Sequence, residues 1–342
     1  MQSMVLFVMG LIVTCSCALA QSVESEVTFK GVGGLVINGT LSMPAKSARP
    51  APAVLLLSGS GPTDRNGNQP PALVTDLLKQ VADRLSQEGI ASLRFDKRAT
   101  RGYAASWPKD VTAQNDFFAW DMFVGDAKAA LLFLRAQHNI DARHIFIAGH
   151  SEGSMIAGQI GHDLNGKPAA PAGLILMGAP GRTLDIVIRE QVAANLAGSG
   201  LSVEARKPYM DYVDLAINRL KADGSIPPNP PQGLGPLFPP SAAKLMRSYF
   251  TNDPAVTAAG YGGPVLIVQG EKDIQVSAKS DTPLLAAALK ARQKGATEIF
   301  VAPGASHNLK VVADEKKEPR FAGPVVPSAL DTIVAWLKAN AE

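Results

Sequence analysis

Cysteine is nearly absent from this sequence: its 342 residues include only Cys15 and Cys17, both close to the N-terminus. Disulfide frameworks, thiolate catalysis, cysteine-ligated zinc and iron–sulfur clusters all need cysteine. A charge surplus is also missing, because 33 Lys and Arg residues face 30 Asp and Glu residues, for a formal net charge of +3. So small a surplus, without a long basic run, predicts no nucleic-acid partner.

Long hydrophobic runs are lacking as well, and the N-terminal one spans only residues 5–14. It is followed by Ala18-Leu19-Ala20, a small-x-small cleavage pattern. We therefore expect residues 1–20 to be a signal peptide and the exported chain, periplasmic or secreted, to contain no cysteine. A retained membrane anchor is the alternative, because the segment has no Lys or Arg. After cleavage we expect no membrane span.

Short apolar runs alternate with helix-like patterns through most of the chain, which predicts an α/β fold. Near-continuous apolar strands are typical of a mostly parallel central sheet that is covered by helices on both faces. An antiparallel pair of strands is expected before this pattern begins. The predicted strands cover residues 26–30, 35–43, 53–57, 91–95, 145–148, 173–177, 265–268 and 299–302, and the main predicted helices cover 72–87, 117–137, 282–293 and 328–339.

The alternation stops after residue 181 and resumes near residue 264. Between them, helix-like stretches at 184–196 and 203–221 are followed by proline-rich sequence. We predict a core formed by residues 21–181 and 264–342, with residues 182–263 as a helical lid over the sheet. A separately folded module is the alternative, but its apolar helices would need another surface to cover.

The candidate nucleophile is Ser151, in the pattern Gly149-x-Ser151-x-Gly153. This pattern follows a predicted buried strand and precedes a predicted helix, which is the context of a nucleophile elbow. The glycines allow strand and helix to approach closely, and the helix N-terminus favours negative charge near the serine.

A serine nucleophile needs a base, and His307 is the histidine best placed to serve. It lies in Gly304-Ala305-Ser306-His307, directly after the last predicted strand and at the same sheet edge as Ser151. The other four histidines are excluded by position: two lie near the start of the strand before Ser151, one adjoins Ser151 but is expected to point away, and one lies roughly 16 Å along the next helix. These are His138, His144, His150 and His162.

The orienting acid is expected between the serine and the histidine in chain order. Asp273 is the preferred candidate, because it lies three residues after Gly270 at the end of a predicted strand. Glu271 and Asp281 are the alternatives.

An oxyanion hole needs two backbone N–H groups. The residue after the nucleophile, Glu152, is expected to supply one. The loop Ser58-Gly59-Ser60-Gly61 is expected to supply the other, from Ser60 or alternatively from Gly61.

The ordered elbow, acid turn and histidine loop resemble those of the α/β-hydrolase superfamily over roughly residues 27–337. More narrowly, residues 58–68, Phe95-Asp96-Lys97-Arg98 and residues 249–254 resemble the EstD-type bacterial carboxylesterases, which are close to dienelactone-hydrolase-like and serine-aminopeptidase-like proteins. Many relatives have glycine after the arginine, whereas this chain has Ala99-Thr100. The resemblance implies hydrolysis of small short-acyl esters by a Ser–Asp–His triad, without metal or cofactor.

Two other functions remain open from the sequence. The same machinery serves aminopeptidases and thioesterases, and an aminopeptidase needs an acid to hold the substrate amine. A non-catalytic binding protein is the second alternative, although it has no need of a complete triad. The acids considered for amine binding are Glu152, Asp185, Glu190 and Glu204.

Overall fold

The fold is built on one twisted sheet of eight strands, seen in a computed structural model that describes residues 22–45, 49–312 and 322–342. The predicted signal peptide, residues 1–20, lies outside the described residues. The strands are β1 (Val23–Lys30), β2 (Val36–Met43), β3 (Ala51–Leu57), β4 (Ala91–Phe95), β5 (Ile140–His150), β6 (Leu174–Met177), β7 (Val265–Gly270) and β8 (Thr297–Ala302).

The sheet has the strand order β1-β2-β4-β3-β5-β6-β7-β8. Strand β2 pairs antiparallel with both β1 and β4, while β4, β3 and β5 to β8 run parallel to one another. This confirms the predicted mostly parallel sheet with an antiparallel pair at its start. The carboxyl ends of β3, β5, β7 and β8 therefore share one edge, and the loops that leave this edge carry the candidate site.

Helices cover the sheet and follow its strands. Within the described residues they are α1 (Leu77–Gln87), α2 (Val111–Phe117), α3 (Trp120–Arg135), α4 (Glu152–Leu164), α5 (Leu184–Gly198), α6 (Val203–Ala222), α7 (Ala243–Thr251), α8 (Pro254–Ala259), α9 (Asp281–Lys290) and α10 (Pro327–Asn340).

Alternating side chains of the central strands bury into two separate apolar layers. Along β3, Leu55 and Leu57 join one layer with α3 and α4, while Val54 and Leu56 join the other with α1 and α10. Successive strand residues point to opposite faces, so a run of apolar residues fits a sheet buried on both sides.

Helices α5 to α8 lie within residues 182–263, the stretch predicted as a lid. Apolar side chains of α5, α6 and α7, such as Val192, Val213 and Phe250, belong to the same buried cluster as the sheet residues Leu55 and Ile147. These helices thus bury their apolar faces against the α/β core. The limits of the lid as a unit remain a prediction.

Several elements differ from the sequence-based expectation: α1 begins at Leu77 rather than at residue 72, β5 begins at Ile140 rather than at 145, and the helix predicted over 117–137 begins at Trp120, after the separate helix α2. Hydrogen bonds of the loop before α1 explain the later start of this helix. The Asn68 side-chain oxygen accepts the N–H groups of Thr75 and Asp76 at 2.7 and 2.8 Å, and the Thr75 hydroxyl donates to the Gly67 carbonyl at 2.7 Å. Side chains that satisfy local backbone groups in this way compete with helix formation.

Strand β5 and helix α4 approach so closely that glycine is required on both sides of the turn that joins them. A Cβ atom on Gly149 would lie 2.0 Å from the Gly153 carbonyl oxygen, and one on Gly153 would lie 2.3 Å from the Leu57 carbonyl oxygen. Both neighbouring atoms are backbone atoms of buried elements, so they have no room to retreat.

We expect Gly153→Ala to lower the free energy of unfolding by about 3 kcal/mol or more, because the added methyl overpacks the contact with β3. Urea unfolding of the purified variant measures this loss. Gly102→Ala is the matched control, since a Cβ there meets no atom within 4 Å. Equal stability of the two variants would contradict the close approach.

Candidate active site

Ser151 occupies the turn between β5 and α4 with a backbone that side chains rarely adopt. Its φ of 53° and ψ of −118° place it outside the ordinary helix and strand regions, and such strain is characteristic of a nucleophile elbow. The Ser151 N–H donates to the Met177 carbonyl oxygen at 2.8 Å, which ties the turn to β6. The side chain stands at the N-terminus of α4, where free N–H groups favour negative charge.

His307 and Asp273 meet at the same edge of the sheet. The Nδ1 atom of His307, in the loop after β8, lies 2.7 Å from Oδ2 of Asp273, in the loop after β7. Both side chains are buried. Asp273 Oδ1 also accepts the N–H groups of Gln275 and Val276 at 2.8 and 2.9 Å, and Oδ2 accepts the Gln269 amide at 2.7 Å.

These partners keep Asp273 ionised. Burial by itself opposes ionisation, but His307 and the backbone N–H donors outweigh it and hold the pKa of Asp273 below its ordinary value. An ionised Asp273 accepts a hydrogen bond from the Nδ1–H group of His307. The other ring nitrogen, Nε2, is then the atom available for proton transfer.

The two alternative acids serve elsewhere. Glu271 accepts the Gly304 N–H at 2.8 Å and so braces the turn that precedes His307. Asp281 is fully buried and pairs with Arg182 through contacts of 3.0 and 2.9 Å, which anchors the first residue of the predicted lid beside α9.

Two cavities flank Ser151 and share Ser60, Gln275 and His307 in their walls. One, of about 330 Å³, lies beneath the helices α5 and α7 and is largely apolar. The other, of about 310 Å³, lies beneath residues 59–78 and is more polar. The apolar cavity is lined by Met155, Leu184, Val187, Ile188, Leu237 and Leu245, among others.

The predicted oxyanion donors lie beside this apolar cavity. Ser60, its alternative Gly61, and Glu152 all line it together with Ser151 and His307. Glu152 is the first residue of α4, and the first N–H groups of a helix have no partner inside the helix. The structure therefore brings every sequence-predicted site residue to one place.

Three of the remaining histidines lie where the sequence predicted them. His144 contacts Asp141 near the start of β5, His162 lies on the outer part of α4, and His138 is exposed just before β5. None of these three lines either cavity beside Ser151.

Elimination by position overlooked the contribution of His150. Its ring lies 4.6 Å from the ring of His307, and its Nε2–H donates to the His307 carbonyl oxygen at 2.9 Å. Burial, reinforced by the charge of His307, lowers the pKa of His150 to about 3. His150 therefore stays neutral near pH 7 and holds the His307 loop in place. The contact forms because the end of β5 lies close to the loop after β8. Local sequence patterns do not predict which distant loops lie together.

The described residues contain no group of three or more potential metal-ligating side chains. The same part of the chain has no helix of sufficient length and apolarity to cross a bilayer.

The loop after β4 contains Ala99-Thr100, where many of the related carboxylesterases have glycine after the arginine. The Thr100 hydroxyl donates to the Thr63 carbonyl oxygen at 3.1 Å, which joins this loop to the loop after β3.

Solved structures that resemble this chain are α/β-hydrolases. Est1E from Butyrivibrio proteoclasticus superposes with a TM-score of 0.55 at 14% identity, covering 92% of this chain and 98% of Est1E. A propionate-bound thermophilic esterase, Est2 from Thermogutta terrifontis, gives 0.54 at 15% identity, covering 92% of this chain and 93% of the esterase. The chain has the α/β-hydrolase fold. A putative dienelactone hydrolase from Klebsiella pneumoniae gives 0.52 at 14% identity, covering 93% and 99%.

Sequence comparison relates this chain to enzymes as well. Residues 75–203 match the family model described as serine aminopeptidase, S33, a region that includes Ser151 but ends before Asp273 and His307. Esterase EstD from Thermotoga maritima is 26% identical over 317 residues, which is 92% of this chain and 67% of EstD.

We expect the stability of this protein to fall as the pH drops from 6.5 towards 3, in part through His150. Its folded pKa is about 3 and its unfolded pKa about 6.5, so in this window the unfolded chain binds a proton that the folded chain excludes. The slope contributed by one such group approaches about 1.4 kcal/mol per pH unit.

The measurement is the free energy of unfolding of the wild type, His150→Gln and His138→Gln between pH 7 and pH 4. His150→Gln should lose less stability on acidification than the wild type, because glutamine does not titrate. The exposed His138 provides the control and should leave the pH slope unchanged. A slope that is the same in all three proteins would contradict a buried neutral His150.

Proposed function

We propose that this protein is a serine carboxylesterase in which Ser151, His307 and Asp273 form the catalytic triad. The observation that carries the proposal is the buried 2.7 Å contact between Asp273 and His307, because His307 lines both cavities that Ser151 also lines. The strained turn at Ser151, the similarity to esterase EstD and the esterase folds among the structural relatives support the same conclusion.

In the proposed reaction, the Ser151 hydroxyl attacks the ester carbonyl carbon while His307 Nε2 accepts the hydroxyl proton. The carbonyl oxygen becomes an oxyanion that the N–H groups of Ser60 and Glu152 stabilise. His307 then donates its proton to the departing alcohol, which leaves an acyl group on Ser151. Water, deprotonated by His307, attacks this acyl group and releases the acid. Asp273 holds the imidazole and stabilises its charged form throughout.

The electrostatics of the cavities favour esters over peptides with a free amine. Among the described residues that line the two cavities, only Glu152 is acidic, and both its oxygens are already bound, by Lys97 and by Tyr249. The lid acids considered for amine binding are also occupied or remote. Asp185 pairs with Lys221 and Glu190 with Arg182, while Glu204 lies exposed at the start of α6. Within the part of the chain that the structure describes, these walls therefore offer no free carboxylate to a substrate ammonium group.

The two cavities also match the two halves of an ester. An apolar group of modest size fits the 330 Å³ cavity beneath the lid helices, and a more polar group fits the cavity beneath residues 59–78. We therefore propose short-acyl esters of small alcohols as substrates. Export to the periplasm or the medium is proposed on the predicted signal peptide.

Ser151→Ala should lower kcat on p-nitrophenyl butyrate by at least about 10³-fold, because it removes the atom that forms the acyl-enzyme. Ser199→Ala, at an exposed serine after α5, is the control and should retain the wild-type rate. An alanyl-p-nitroanilide is tested in parallel. Cleavage of the anilide alone would replace the esterase proposal with an aminopeptidase, and undiminished ester turnover by Ser151→Ala would exclude Ser151 as the nucleophile.

Val187→Trp should narrow the apolar cavity and shift the acyl preference. Val187 is buried on α5 and lines this cavity, so an indole there takes up space that longer acyl chains need. We expect kcat/KM to fall by about tenfold or more for p-nitrophenyl octanoate and butyrate but little for the acetate. The reason is that the contact of a single methylene group with an apolar pocket is worth about tenfold or more in kcat/KM. Leu215→Trp, on the exposed face of α6, is the control. A uniform loss on all three esters would contradict this placement of the acyl group.

A further inference from the structure

The segment after β4 binds three different parts of the molecule with three consecutive residues. Asp96 accepts two guanidinium contacts from Arg65 at 3.1 and 2.8 Å, in the loop after β3. Arg98 pairs with Asp126 on α3 through two contacts of 2.7 Å. Between them, Lys97 points towards Gly59 and Glu152, beside the candidate active site. The mechanism proposed above makes no use of Lys97, although the side chain is almost completely buried beside it.

The Lys97 ammonium group has two oxygen partners, and each belongs to a residue that supplies an oxyanion donor or adjoins one. It donates to the Gly59 carbonyl oxygen, and it lies 2.9 Å from Oε1 of Glu152. The second Glu152 oxygen accepts the hydroxyl of Tyr249, which lies on α7 within the predicted lid. A single cation therefore contacts the loop after β3, the start of α4 and, through Glu152, a lid helix.

The contact with Gly59 bears directly on the orientation of the Ser60 N–H. The Gly59 carbonyl and the Ser60 N–H belong to one peptide group, and in a planar trans peptide they point in opposite directions. The cis peptide bond of the described chain is at Pro70-Pro71, not here. Because the Lys97 ammonium group binds the Gly59 carbonyl oxygen, the Ser60 N–H points away from Lys97, towards the cavity that Ser60 lines.

The same contact strengthens the donor. A cation on a carbonyl oxygen draws electron density from the amide, and linked hydrogen bonds in a low-dielectric site reinforce one another. The Ser60 N–H is thereby a better donor to an oxyanion than a free amide. The Glu152 carboxylate balances the Lys97 charge, so the site gains polarisation without an uncompensated buried cation.

Stability alone is a weak reason for this arrangement. The side chains of Lys97 and Glu152 are 5% and 3% exposed, and removing two charges from water costs free energy that their attraction often fails to repay. Apolar residues of similar size would fill this space at no greater cost. Unlike the equally buried Arg98–Asp126 pair, this pair contacts the peptide group that carries a proposed oxyanion donor, so a role in the reaction accounts for its charges.

We propose that Lys97 is a positioning residue for the oxyanion hole: it orients and polarises the Gly59–Ser60 peptide, and through Glu152 it joins the second donor and Tyr249 to the same network. This inference rests on the proposed esterase function. It deepens that function by assigning a role to a charged side chain that touches no substrate.

The test compares wild type, Lys97→Met and Lys97→Met/Glu152→Gln on p-nitrophenyl butyrate, together with inhibition by butylboronic acid. Methionine keeps the length of the side chain without the ammonium group, and the double variant leaves no unpaired carboxylate in the interior. We expect kcat to fall about 10- to 100-fold with KM within twofold, since displacing an oxyanion donor costs up to about 10²–10³. The affinity for the boronic acid, whose tetrahedral adduct occupies the oxyanion hole, should fall in parallel.

The matched control is Arg98→Met/Asp126→Asn, which removes an equally buried ion pair one residue away. It should lower stability while the folded protein keeps the wild-type kcat and boronic acid affinity. If Lys97→Met does not fold, the double variant decides the question.

The outcomes separate this inference from the proposed function. Wild-type protein without Ser151-dependent ester turnover would overturn the esterase proposal. A folded Lys97→Met/Glu152→Gln variant whose kcat and boronic acid affinity lie within twofold of the wild-type values would overturn the role of Lys97. The esterase proposal would then stand. Equal losses of kcat in the Arg98 control would also overturn the role of Lys97, because they would assign the effect to packing.

Discussion

The strained turn at Ser151 is the constraint around which the remaining structure is arranged. A serine held at a φ of 53° persists only where its surroundings leave no alternative. Here the backbone of Gly149 rests on that of Gly153, and Gly153 rests on the Leu57 carbonyl, so β5, α4 and β3 meet without intervening side chains. The contact fixes the position of the serine relative to the loop after β3, which supplies the proposed oxyanion donor.

The loops around this turn are held by charged side chains rather than by apolar packing. Asp96, Lys97 and Arg98 join the loop after β4 to its neighbours, and Asp281 binds Arg182 at the start of the predicted lid. Loops at a sheet edge bury too little apolar surface to be held by the hydrophobic effect. Directed hydrogen bonds to backbone and carboxylate groups hold these loops in place instead.

The site divides its titratable groups by environment. Asp273 receives backbone and imidazole donors and remains ionised despite burial, while His150 lies in the interior next to a second imidazole and remains neutral. Only His307 connects the two, through its ring to Asp273 and through its carbonyl to His150. In the proposed mechanism, proton transfer is left to the His307 imidazole, while Asp273 stabilises its charge and His150 holds its loop.

The sequence by itself determined the sheet, the elbow at Ser151 and the order of serine, acid and histidine, because strand periodicity and glycine requirements are local properties of the chain. Tertiary structure alone decided which acid faces His307, since Glu271 and Asp273 differ by two positions in one turn and only folding orients them. It also decided the contacts of His150 and Lys97. These join strands and loops that are distant in the chain, and no local pattern encodes where a buried side chain finds its partner.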